Sequence, residues 1–462
     1  MTIIIYEVIV IQQLTKNNQN LETDTKCHNT GGIKLKAAGI ICEYNPFHNG
    51  HEAHIAETKR ALGDGCAIVC AMSGNFVQRG EPAIFNKHTR AEAAVRCGAD
   101  LVLEIPTPYV LTSSQGYAEA GVSILTSLGA CEYISFGSES GRIDELSKVA
   151  EALSAEKTGM QIKTMLGKGI AYAQAVQMTL DVIMGERAVL LKSPNNLLGI
   201  EYIRAINKTG SHIKPITFKR TGGAHDGDSG YSASAIRRLL RGGEFAGGFG
   251  SEYGGECGNG FGGGFGNIQE TVSEKTLNAI HNTMPEHSIM LCKREISEGR
   301  GPVSIESLEQ AIMSRLRNIN DFSQFPGASE GFGNRFARYA ATEPSVAMIL
   351  NKAKTKRYAM SRIRRMLICA CLGITAADTA KPPSYLRVLA ANDIGIKLLG
   401  ELRGNTESPI ITKPAQAKHL DAHAAELFKK EAAATDFYVI GYPKIAHREG
   451  SAEWRQGPVI VK

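Results

Sequence analysis

One sixteen-residue segment constrains the fold of this chain more than any other. Residues 39–54 read GIICEYNPFHNGHEAH, in which a short apolar run leads into a turn marked by Pro46 and Gly50. This pattern predicts a buried strand over residues 38–42 and a helix that begins at His51. A strand that runs directly into a helix aims backbone N–H groups and the positive end of the helix at one place. The segment therefore favours phosphate binding.

Two histidines stand three positions apart across this turn. His48 and His51 can each donate a hydrogen bond from imidazole to a phosphate oxygen. In nucleotidyl transfer, such donors meet the negative charge that grows on the α-phosphate and on the leaving pyrophosphate. As an isolated H-x-x-H pattern, the pair is equally typical of a metal site or of surface histidines. Its place between a strand and a helix favours phosphate binding and a catalytic role for both histidines.

Strand-like and helix-like segments alternate through the first part of the chain. Strands are predicted over residues 38–42, 66–72, 101–105 and 133–136, and helices over residues 52–62, 86–97 and 114–128. Alternation at this spacing predicts parallel strands joined by right-handed helical crossovers. The expected fold class is therefore α/β, with a Rossmann-like parallel sheet followed by a mainly α-helical C-terminal region.

Composition divides the chain into four parts. Residues 1–34 hold few apolar side chains after Ile11, and we expect them to be a flexible extension. Residues 35–241 are the expected α/β domain. Residues 242–266 contain 13 of the 49 glycines and are interpreted as a flexible insert, with weak RNA contacts as the alternative. Residues 267–462 lack the alternation and are expected to be mainly helical.

Charge and composition exclude several classes of protein. Hydrophobic residues make up 43% and charged residues 21% of the chain, which is typical of soluble globular proteins. The net charge of +6 permits a local basic patch for phosphate or nucleic acid but not a polycation. The apolar start at residues 3–11 is shorter than the roughly 20 residues that span a membrane. Ten cysteines without a C-x-x-C pair favour reduced thiols, so we expect a cytoplasmic protein without a membrane anchor.

Five separated blocks of sequence carry a family resemblance. The HNGH of the first turn is similar to the HxGH signature of nucleotidylyltransferases. The blocks are EYNPFHNGH, MSGNFVQRGEPAIFNKHTRAEAA (72–94), FGSE (136–139), KSPNNLLGIEYIRA (192–205) and TKRYAMSRIRR (355–365). In this order they resemble the tRNA(Met) cytidine acetate ligase family, from about Leu35 to Lys413 and without the glycine-rich insert. The resemblance implies a nucleotidyltransferase domain over residues 35–241 and a tRNA-binding region over residues 267–462.

The resemblance implies a reaction in two steps. Acetate and ATP give acetyl-adenylate and pyrophosphate, and the acetyl group then passes to the exocyclic amine of the wobble cytidine in elongator tRNA(Met), which forms N4-acetylcytidine. ATP is expected to bind with Mg²⁺, and no metal site of the protein itself is expected. By this similarity, the residues that bind ATP around the catalytic pair His48 and His51 are Ile41, Cys42, Glu43, Tyr44, Asn45, Pro46, Phe47, Asn49, Gly50 and His54.

Further residues complete the nucleotide site that the resemblance implies. Gly137 ends an apolar strand at the carboxyl edge of the expected sheet, where an ordinary turn glycine would look the same. Asn195 or its neighbour Asn196 contacts nucleotide, or only caps the following helix. Arg220 offers a guanidinium to phosphate, or is a surface arginine. Ser234 lies in SASAIRR, which resembles a second signature that holds the β- and γ-phosphates, although serine there could also cap a helix.

The second substrate has a candidate surface in the densest positive segment of the chain. Residues 351–365 contain seven basic residues and no acidic one. Such a run usually forms a solvated helix face, but here contact with the tRNA backbone is favoured, and Tyr358 could stack on a base. The residues assigned to tRNA binding are Lys354, Lys356, Arg357, Arg362 and Arg365.

Two other functions compete with this interpretation. An adenylyltransferase for a phosphorylated small molecule would explain HNGH but leave the basic segment without a use. A non-catalytic RNA-binding protein would use the basic segment and the glycine-rich stretch.

The family resemblance also suggests a hypothesis about the start of the chain. Because family members begin with Met-Lys before this strand, Leu35 and Lys36 would mark the native start, and residues 1–34 would not be native.

Overall fold

The fold is described from a computed structural model of the chain. The structure describes residues 35–63, 65–220, 232–241, 280–329, 331–355 and 357–462. The expected extension at residues 1–34 and the glycine-rich insert at residues 242–266 lie outside the described residues, and so does the hypothesis about the start of the chain.

One eight-stranded sheet and one short hairpin form the strands of the described part of the chain. In chain order the strands are β1 (Ala37–Cys42), β2 (Ala67–Ser73), β3 (Phe76–Val77), β4 (Glu81–Pro82), β5 (Leu101–Ile105), β6 (Cys131–Ser138), β7 (Lys214–Lys219), β8 (Leu386–Ala391), β9 (Ile410–Ile411) and β10 (Val459–Ile460). The sheet order is β10-β8-β5-β2-β1-β6-β7, with β9 paired to β8. The strands from β5 to β7 in this order are parallel, and β8 runs antiparallel to β5.

Helices cover the sheet and build the C-terminal region. They are α1 (Asn49–Leu62), α2 (Lys87–Arg96), α3 (Thr107–Val110), α4 (Ser114–Leu128), α5 (Ile143–Ser154), α6 (Glu156–Gly167), α7 (Tyr172–Met184), α8 (Pro194–Thr209), α9 (Ala233–Leu240), α10 (Glu286–Ser297), α11 (Glu309–Arg317), α12 (Phe332–Thr342), α13 (Val346–Ala353), α14 (Met360–Leu372), α15 (Asp393–Glu401), α16 (Ala422–Val439) and α17 (Ala452–Arg455). Short 3-10 helices span Gly185–Lys192, Glu306–Leu308, Ala376–Thr379, Pro414–His419 and Ile445–His447.

Both faces of the sheet are covered because its central strands are apolar on both sides. Every residue of β1, β2 and β5 is buried, as is usual for parallel strands between two helical layers. Successive side chains of β1 enter different cores, since they point to opposite faces. Ile41 shares a core with α4 and α8, and Ile40 shares one with α1 and α2. The turn after β1 therefore starts from a rigid base.

The C-terminal region forms a helical core and then returns to the sheet. Helices α11 to α14 bury their apolar faces together with the end of α16. Strands β8, β9 and β10 then extend the sheet beyond β5. The predicted fold class, a Rossmann-like parallel sheet with a mainly α-helical C-terminal region, is confirmed. The strands β8, β9 and β10 were not predicted. Strands β9 and β10 have two residues each and are too short to show alternation.

A buried ion cluster joins the C-terminal region to the sheet. The ammonium group of Lys87 on α2 lies 2.6 Å from Glu104 of β5. It also lies 3.1 Å from Glu431 of α16 and 2.6 Å from Glu453 of α17. Arg387 of β8 lies 3.3 Å from Glu453. Burial acts to lower the pKa of Lys87, but the three carboxylates outweigh burial and hold that pKa above its ordinary value.

Loss of the Lys87 charge should destabilise the whole chain. In Lys87→Met the buried carboxylates lose their shared cation, so we expect the free energy of unfolding to fall by about 3–5 kcal/mol. Urea unfolding followed by circular dichroism measures this change. The control is Lys36→Met, which removes an ammonium group from an exposed pair with Glu132 and should leave the unfolding midpoint nearly unchanged. Equal midpoints for the two variants would contradict a structural role for the cluster.

Candidate nucleotide-binding and catalytic site

The two predicted catalytic histidines close the turn between β1 and α1. His48 is the N-cap residue of α1, and its Nδ1 accepts a hydrogen bond from the backbone N–H of Gly50 at 3.1 Å. The Nδ1 of His51 accepts a hydrogen bond from the backbone N–H of His48 at 3.2 Å. This reciprocal pair is a capping box, here built from two imidazoles in place of the usual serine and glutamate.

These hydrogen bonds fix the position of the proton in each neutral ring. Because Nδ1 is the acceptor in both His48 and His51, Nε2 carries the proton. The two rings stack with their centroids 3.7 Å apart. Tyr44 and Phe47 pack against His51, with ring centroids 4.8 and 5.5 Å away. The turn thus holds two rings in fixed orientation, each with an Nε2–H donor.

The histidines of this segment stay neutral at physiological pH. Burial, together with the positive charges of Arg220 and Arg237, lowers the pKa of His48 to about 4. Burial also lowers the pKa of His54 to about 4, with a smaller effect of Arg220. The pKa of His51 lies well below its ordinary value because of burial and then of its neighbour His48. The rings are therefore hydrogen-bond donors, and the fixed positive charge nearby belongs to arginines.

Gly50 and His54 shape the start of α1. A Cβ atom at Gly50 would lie 3.0 Å from Cε1 of His48 and would crowd the ring that caps the helix. The Nε2 atom of His54 lies 2.9 Å from Oγ of Ser135, and this hydroxyl lies 2.7 Å from Oγ1 of Thr58. Ser135 belongs to β6, so the two contacts tie α1 to the neighbouring strand.

The first backbone N–H groups of α1 already have acceptors. The N–H of Asn49 donates to the carbonyl oxygen of Thr283 at 3.0 Å, and the N–H of His51 donates to that of His48 at 2.8 Å. The N–H of Gly50 donates to the ring of His48. These groups are therefore satisfied within the protein by backbone carbonyl oxygens and by the ring of His48, and their contact with phosphate stays a prediction. The donors that the turn offers are imidazole groups.

A buried arginine holds the loops after β1 and β2 together. Arg90 of α2 is 2% exposed, and its guanidinium donates to backbone carbonyl oxygens only. They belong to Phe85 at 3.0 Å, Ser73 at 3.1 Å, Glu43 and Gly74. A planar group with five donors can satisfy several carbonyl oxygens at once. Arg90 thereby sets the spacing between the two loops, a role that sequence analysis missed.

Glu43 and Asn45 connect the histidine turn to the loop after β2. The carboxylate of Glu43 accepts a hydrogen bond from the N–H of Gln78 at 2.7 Å. The Oδ1 atom of Asn45 accepts one from the N–H of Ile84 at 2.8 Å. Burial raises the pKa of Glu43. Both predicted residues therefore act first on the backbone of a neighbouring loop.

Ser234 is linked to the same turn through an arginine. Arg237 donates to Oγ of Ser234 at 3.1 Å and to the carbonyl oxygen of Asn45 at 2.7 Å. The N-cap residue of α9 is Ser232, whose hydroxyl accepts from the N–H of Ala235 at 3.3 Å. Capping therefore does not account for Ser234, which lies beside the turn together with a positive charge.

Gly137 and Arg220 meet at the carboxyl ends of β6 and β7. Gly137 pairs with Phe218 across the two strands, and the N–H of Arg220 donates to the carbonyl oxygen of Ser138 at 3.0 Å. A Cβ atom at Gly137 would lie 3.0 Å from Cγ of Arg220. The Arg220 charge also reaches the histidines, since it contributes to the low pKa of His48. Ligands of open α/β sheets bind at this edge.

Asn195 is held by a carboxylate that sequence analysis did not select. Glu139 accepts from Nδ2 of Asn195 at 2.8 Å and from its N–H at 3.2 Å. It also accepts from the N–H of Asn196 at 2.8 Å. The N-cap residue of α8 is Ser193, so the idea that an asparagine caps this helix is wrong. The carboxylate of Glu139 instead accepts from the first backbone N–H groups of α8. Its presence in the FGSE block is a sequence signal for this contact, because carboxylates are favoured at helix N-termini.

The remaining predicted nucleotide residues are buried at the end of β1 and within the turn. Ile41 and Cys42 end β1, and Pro46 and Phe47 follow within the turn. All four are buried. Their part in the site is therefore to support the histidines, not to offer polar groups of their own.

The basic segment is only partly exposed. Lys354 and Arg357 are exposed, and Lys356 lies outside the described residues. Tyr358 is 7% exposed, and its ring packs against Phe332 with centroids 4.5 Å apart. The expectation that Tyr358 stacks on a base is therefore not met, because the ring belongs to the helical core.

Two arginines of the predicted tRNA surface contact the protein itself. Arg362 donates to the carbonyl oxygen of Gly327 at 3.1 Å and to Oγ of Ser329 at 3.0 Å. Arg365 donates to the carbonyl oxygen of Gln78 at 3.1 Å. The sequence shows the density of positive charge in this segment but not how much of it turns inward.

Proteins related to this chain match it over almost its whole length. A family model described as HIGH Nucleotidyl Transferase matches residues 35–453. A tRNA(Met) cytidine acetate ligase from Caldanaerobacter subterraneus is 34% identical over 418 residues, which cover 89% of this chain and 97% of the relative. The chain belongs to the tRNA(Met) cytidine acetate ligase family. Another protein of that name, from Acetivibrio thermocellus, is 32% identical and matches 92% of this chain and 100% of its own length.

A solved structure shows the same fold. Thermotoga maritima TmcAL bound with alpha-thio ATP matches with a TM-score of 0.80 and 30% identity, over 92% of this chain and 100% of that chain. The family predicted from the five sequence blocks is thus confirmed.

No helix within the described residues is long and apolar enough to cross a membrane. The same residues contain no group of three or more His, Cys, Asp or Glu side chains suited to a metal ion.

The low pKa values of the histidines give a pH test. His48 and His54 titrate at about 4 in the folded chain and near their ordinary value of 6.5 when unfolded, so the unfolded chain binds more protons between these values. These groups therefore remove stability as the pH falls from about 6.5 towards 4, and have no such effect above pH 7. NMR titration of carbon-labelled imidazoles should show no midpoint near 6.5 for either residue.

The signals are assigned by substitution. His48→Asn and His54→Asn each remove one resonance from the spectrum and so identify it. A midpoint near 6.5 for the His48 signal would contradict the lowering of its pKa by burial and by the neighbouring arginines.

Proposed function

We propose that this chain is an ATP-dependent ligase that activates acetate as acetyl-adenylate and acetylates the exocyclic amine of the wobble cytidine in elongator tRNA(Met), which gives N4-acetylcytidine. The observation that carries the proposal is the pair of stacked neutral rings of His48 and His51, each with an Nε2–H donor. They lie at the carboxyl edge of a parallel sheet in a chain of this family. A relative of the same fold is bound with an ATP analogue.

In the first step, an oxygen of acetate forms a bond to the α-phosphorus of ATP, and the bond from that phosphorus to the bridging oxygen breaks. Pyrophosphate leaves with the electron pair. The Nε2–H groups of His48 and His51 donate to phosphate oxygens as their charge grows. Arg220 and Arg237 supply positive charge to the triphosphate. Mg²⁺ bound by the ATP phosphates would supply further positive charge to the leaving pyrophosphate.

In the second step, the cytidine amine forms a bond to the acetyl carbon, and the bond from that carbon to the AMP oxygen breaks. AMP leaves with the electron pair of that bond, and the amine nitrogen releases one proton to the solvent. An acyl-adenylate is already activated, so the protein must mainly align the amine and exclude water. We assign contact with the tRNA backbone to Lys354 and Arg357, which are exposed, together with Lys356 and Arg362.

The first step can be tested without tRNA. We expect acetate-dependent exchange of labelled pyrophosphate into ATP by the wild-type chain. His48→Asn and His51→Gln keep acceptors for the capping box, since asparagine is a good N-cap and glutamine suits the third helical position. They lose the imidazole donors, so the exchange rate should fall about 10²–10³-fold.

The control is His212→Ala, which removes an exposed histidine and should leave the exchange rate unchanged. Wild-type exchange that needs no acetate would instead favour an adenylyltransferase for a small molecule. Absence of any exchange, with tRNA binding intact, would favour a non-catalytic RNA-binding protein.

The second step makes a prediction in cells. Elongator tRNA(Met) from cells that lack this chain should contain unmodified cytidine at the wobble position, because the proposed reaction of this chain forms the amide bond of N4-acetylcytidine. Nucleoside mass spectrometry of the purified tRNA measures N4-acetylcytidine. Restoration by the wild-type gene but not by His51→Gln is expected, and an unaltered level in the deletion strain would reject the tRNA substrate.

A further inference from the structure

Two adjacent arginines at the start of α14 contact the loop that follows β2. The guanidinium of Arg365 donates to the carbonyl oxygen of Gln78 at 3.1 Å. The guanidinium of Arg364 donates to the carboxylate of Glu81. Both acceptors lie in or beside the short hairpin of β3 and β4. Burial lowers the pKa of Arg365 to about 10, so this side chain has lost much of its contact with water while remaining charged at neutral pH.

The loop and the helix touch along their backbones as well. Gly80 has φ of +77°, and a Cβ atom there would collide with the backbone of Arg364 and Arg365. Only glycine combines this left-handed conformation with such a close approach. The hairpin therefore cannot move away from or along α14 without breaking both the packing and the arginine contacts.

The same loop is attached on its other side to the histidine turn. Gln78 accepts from Arg365 through its carbonyl oxygen and donates through its N–H to Glu43 at 2.7 Å. The N–H of Ile84 donates to Asn45 at 2.8 Å. Glu43 and Asn45 lie five and three positions before His48 in the chain. A line of contacts thus runs from α14 through Gln78 to the turn that caps α1.

We propose that Arg365, supported by Arg364, is a positioning residue of the nucleotide site and not a contact for tRNA. The inference rests on the proposed function for the reaction that it supports. Arg365 acts through the backbone of Gln78, which fixes the carboxylate of Glu43 and so the loop that carries His48. Its sequence neighbours in the basic segment, Lys354 and Arg357, are exposed, so density of charge alone does not distinguish the two roles.

The two roles differ in a reaction that contains no tRNA. In Arg365→Met, acetate-dependent exchange without tRNA should lose about 10- to 100-fold in kcat/KM for ATP, because a small displacement of positioned groups is costly. Part of the loss should appear as a raised KM for ATP. A mere loss of folded protein lowers kcat and leaves KM unchanged. The affinity for tRNA(Met), measured by filter binding, should stay within about twofold of wild type.

Matched variants separate geometry from charge. Arg365→Lys keeps a donor that can reach the Gln78 carbonyl oxygen and should recover most of the exchange activity. Glu81→Gln weakens the neighbouring contact with Arg364 and should cause a smaller loss in the same direction. The control is Arg338→Met on α12, which removes an exposed arginine of the helical region and should leave exchange unchanged.

Three outcomes distinguish a positioning role of Arg365 from a tRNA contact. Normal tRNA-free exchange in Arg365→Met with weakened tRNA binding would overturn the proposal and make Arg365 a tRNA contact. If the wild-type chain showed no exchange, the proposed function would fail, and calorimetric titration with ATP would still test positioning through nucleotide affinity. If Arg365→Met did not fold, as judged by its thermal unfolding, Arg365→Lys and Glu81→Gln would carry the test. Unchanged KM for ATP in both would overturn the proposal.

Discussion

The buried ammonium group of Lys87 holds together segments that are far apart in the sequence. Its carboxylate partners come from β5, α16 and α17, and its own backbone N–H donates to Asn75 in the loop after β2 at 2.9 Å. Removing such charges from water costs several kcal/mol for each ion, so the cluster is favourable only when all its members are present. The loop after β2, which lies beside the proposed nucleotide site, is therefore held through Lys87 and Asn75 only when the C-terminal segment has docked.

This dependence explains which parts of the fold could be predicted from the sequence. The strand and helix around HNGH and α4 follow local patterns. Helix α4 has the predicted bounds, whereas α1 begins at Asn49, two residues before the predicted start at His51, because the side chain of His48 caps it. Strand β8 is different, because its second residue Arg387 has the character of a surface side chain. It is buried in the fold, where it pairs with Glu453, 66 positions later, and donates to the carbonyl oxygens of Thr412 and Gln456. Pairings of that kind depend on tertiary contacts and leave no local periodicity.

The site shows the same division between local and distant information. Residue type and spacing predict that His48 and His51 are donors, since both lie next to a helix start. They do not predict that the two rings cap the helix themselves. This capping occupies the backbone N–H groups of His48 and Gly50 and fixes the proton of each ring on Nε2. Nor do they predict that Glu139 holds Asn195. These outcomes depend on side-chain orientation, which the order of residues alone does not determine.

The basic segment shows why charge density in a sequence overstates charge at a surface. Lys352 is paired with Glu343 at 2.8 Å, Arg364 with Glu81, and Arg365 with a carbonyl oxygen. What remains exposed lies mainly ahead of α14, whereas the inward arginines lie within its first two turns. One short stretch of chain therefore meets the proposed tRNA on one side and the loop of the nucleotide site on the other. The exposed cations Lys354 and Arg357 lie in the connection between α13 and α14, so a nucleic acid that binds them would lie directly before the helix whose arginines hold the loop at Gln78.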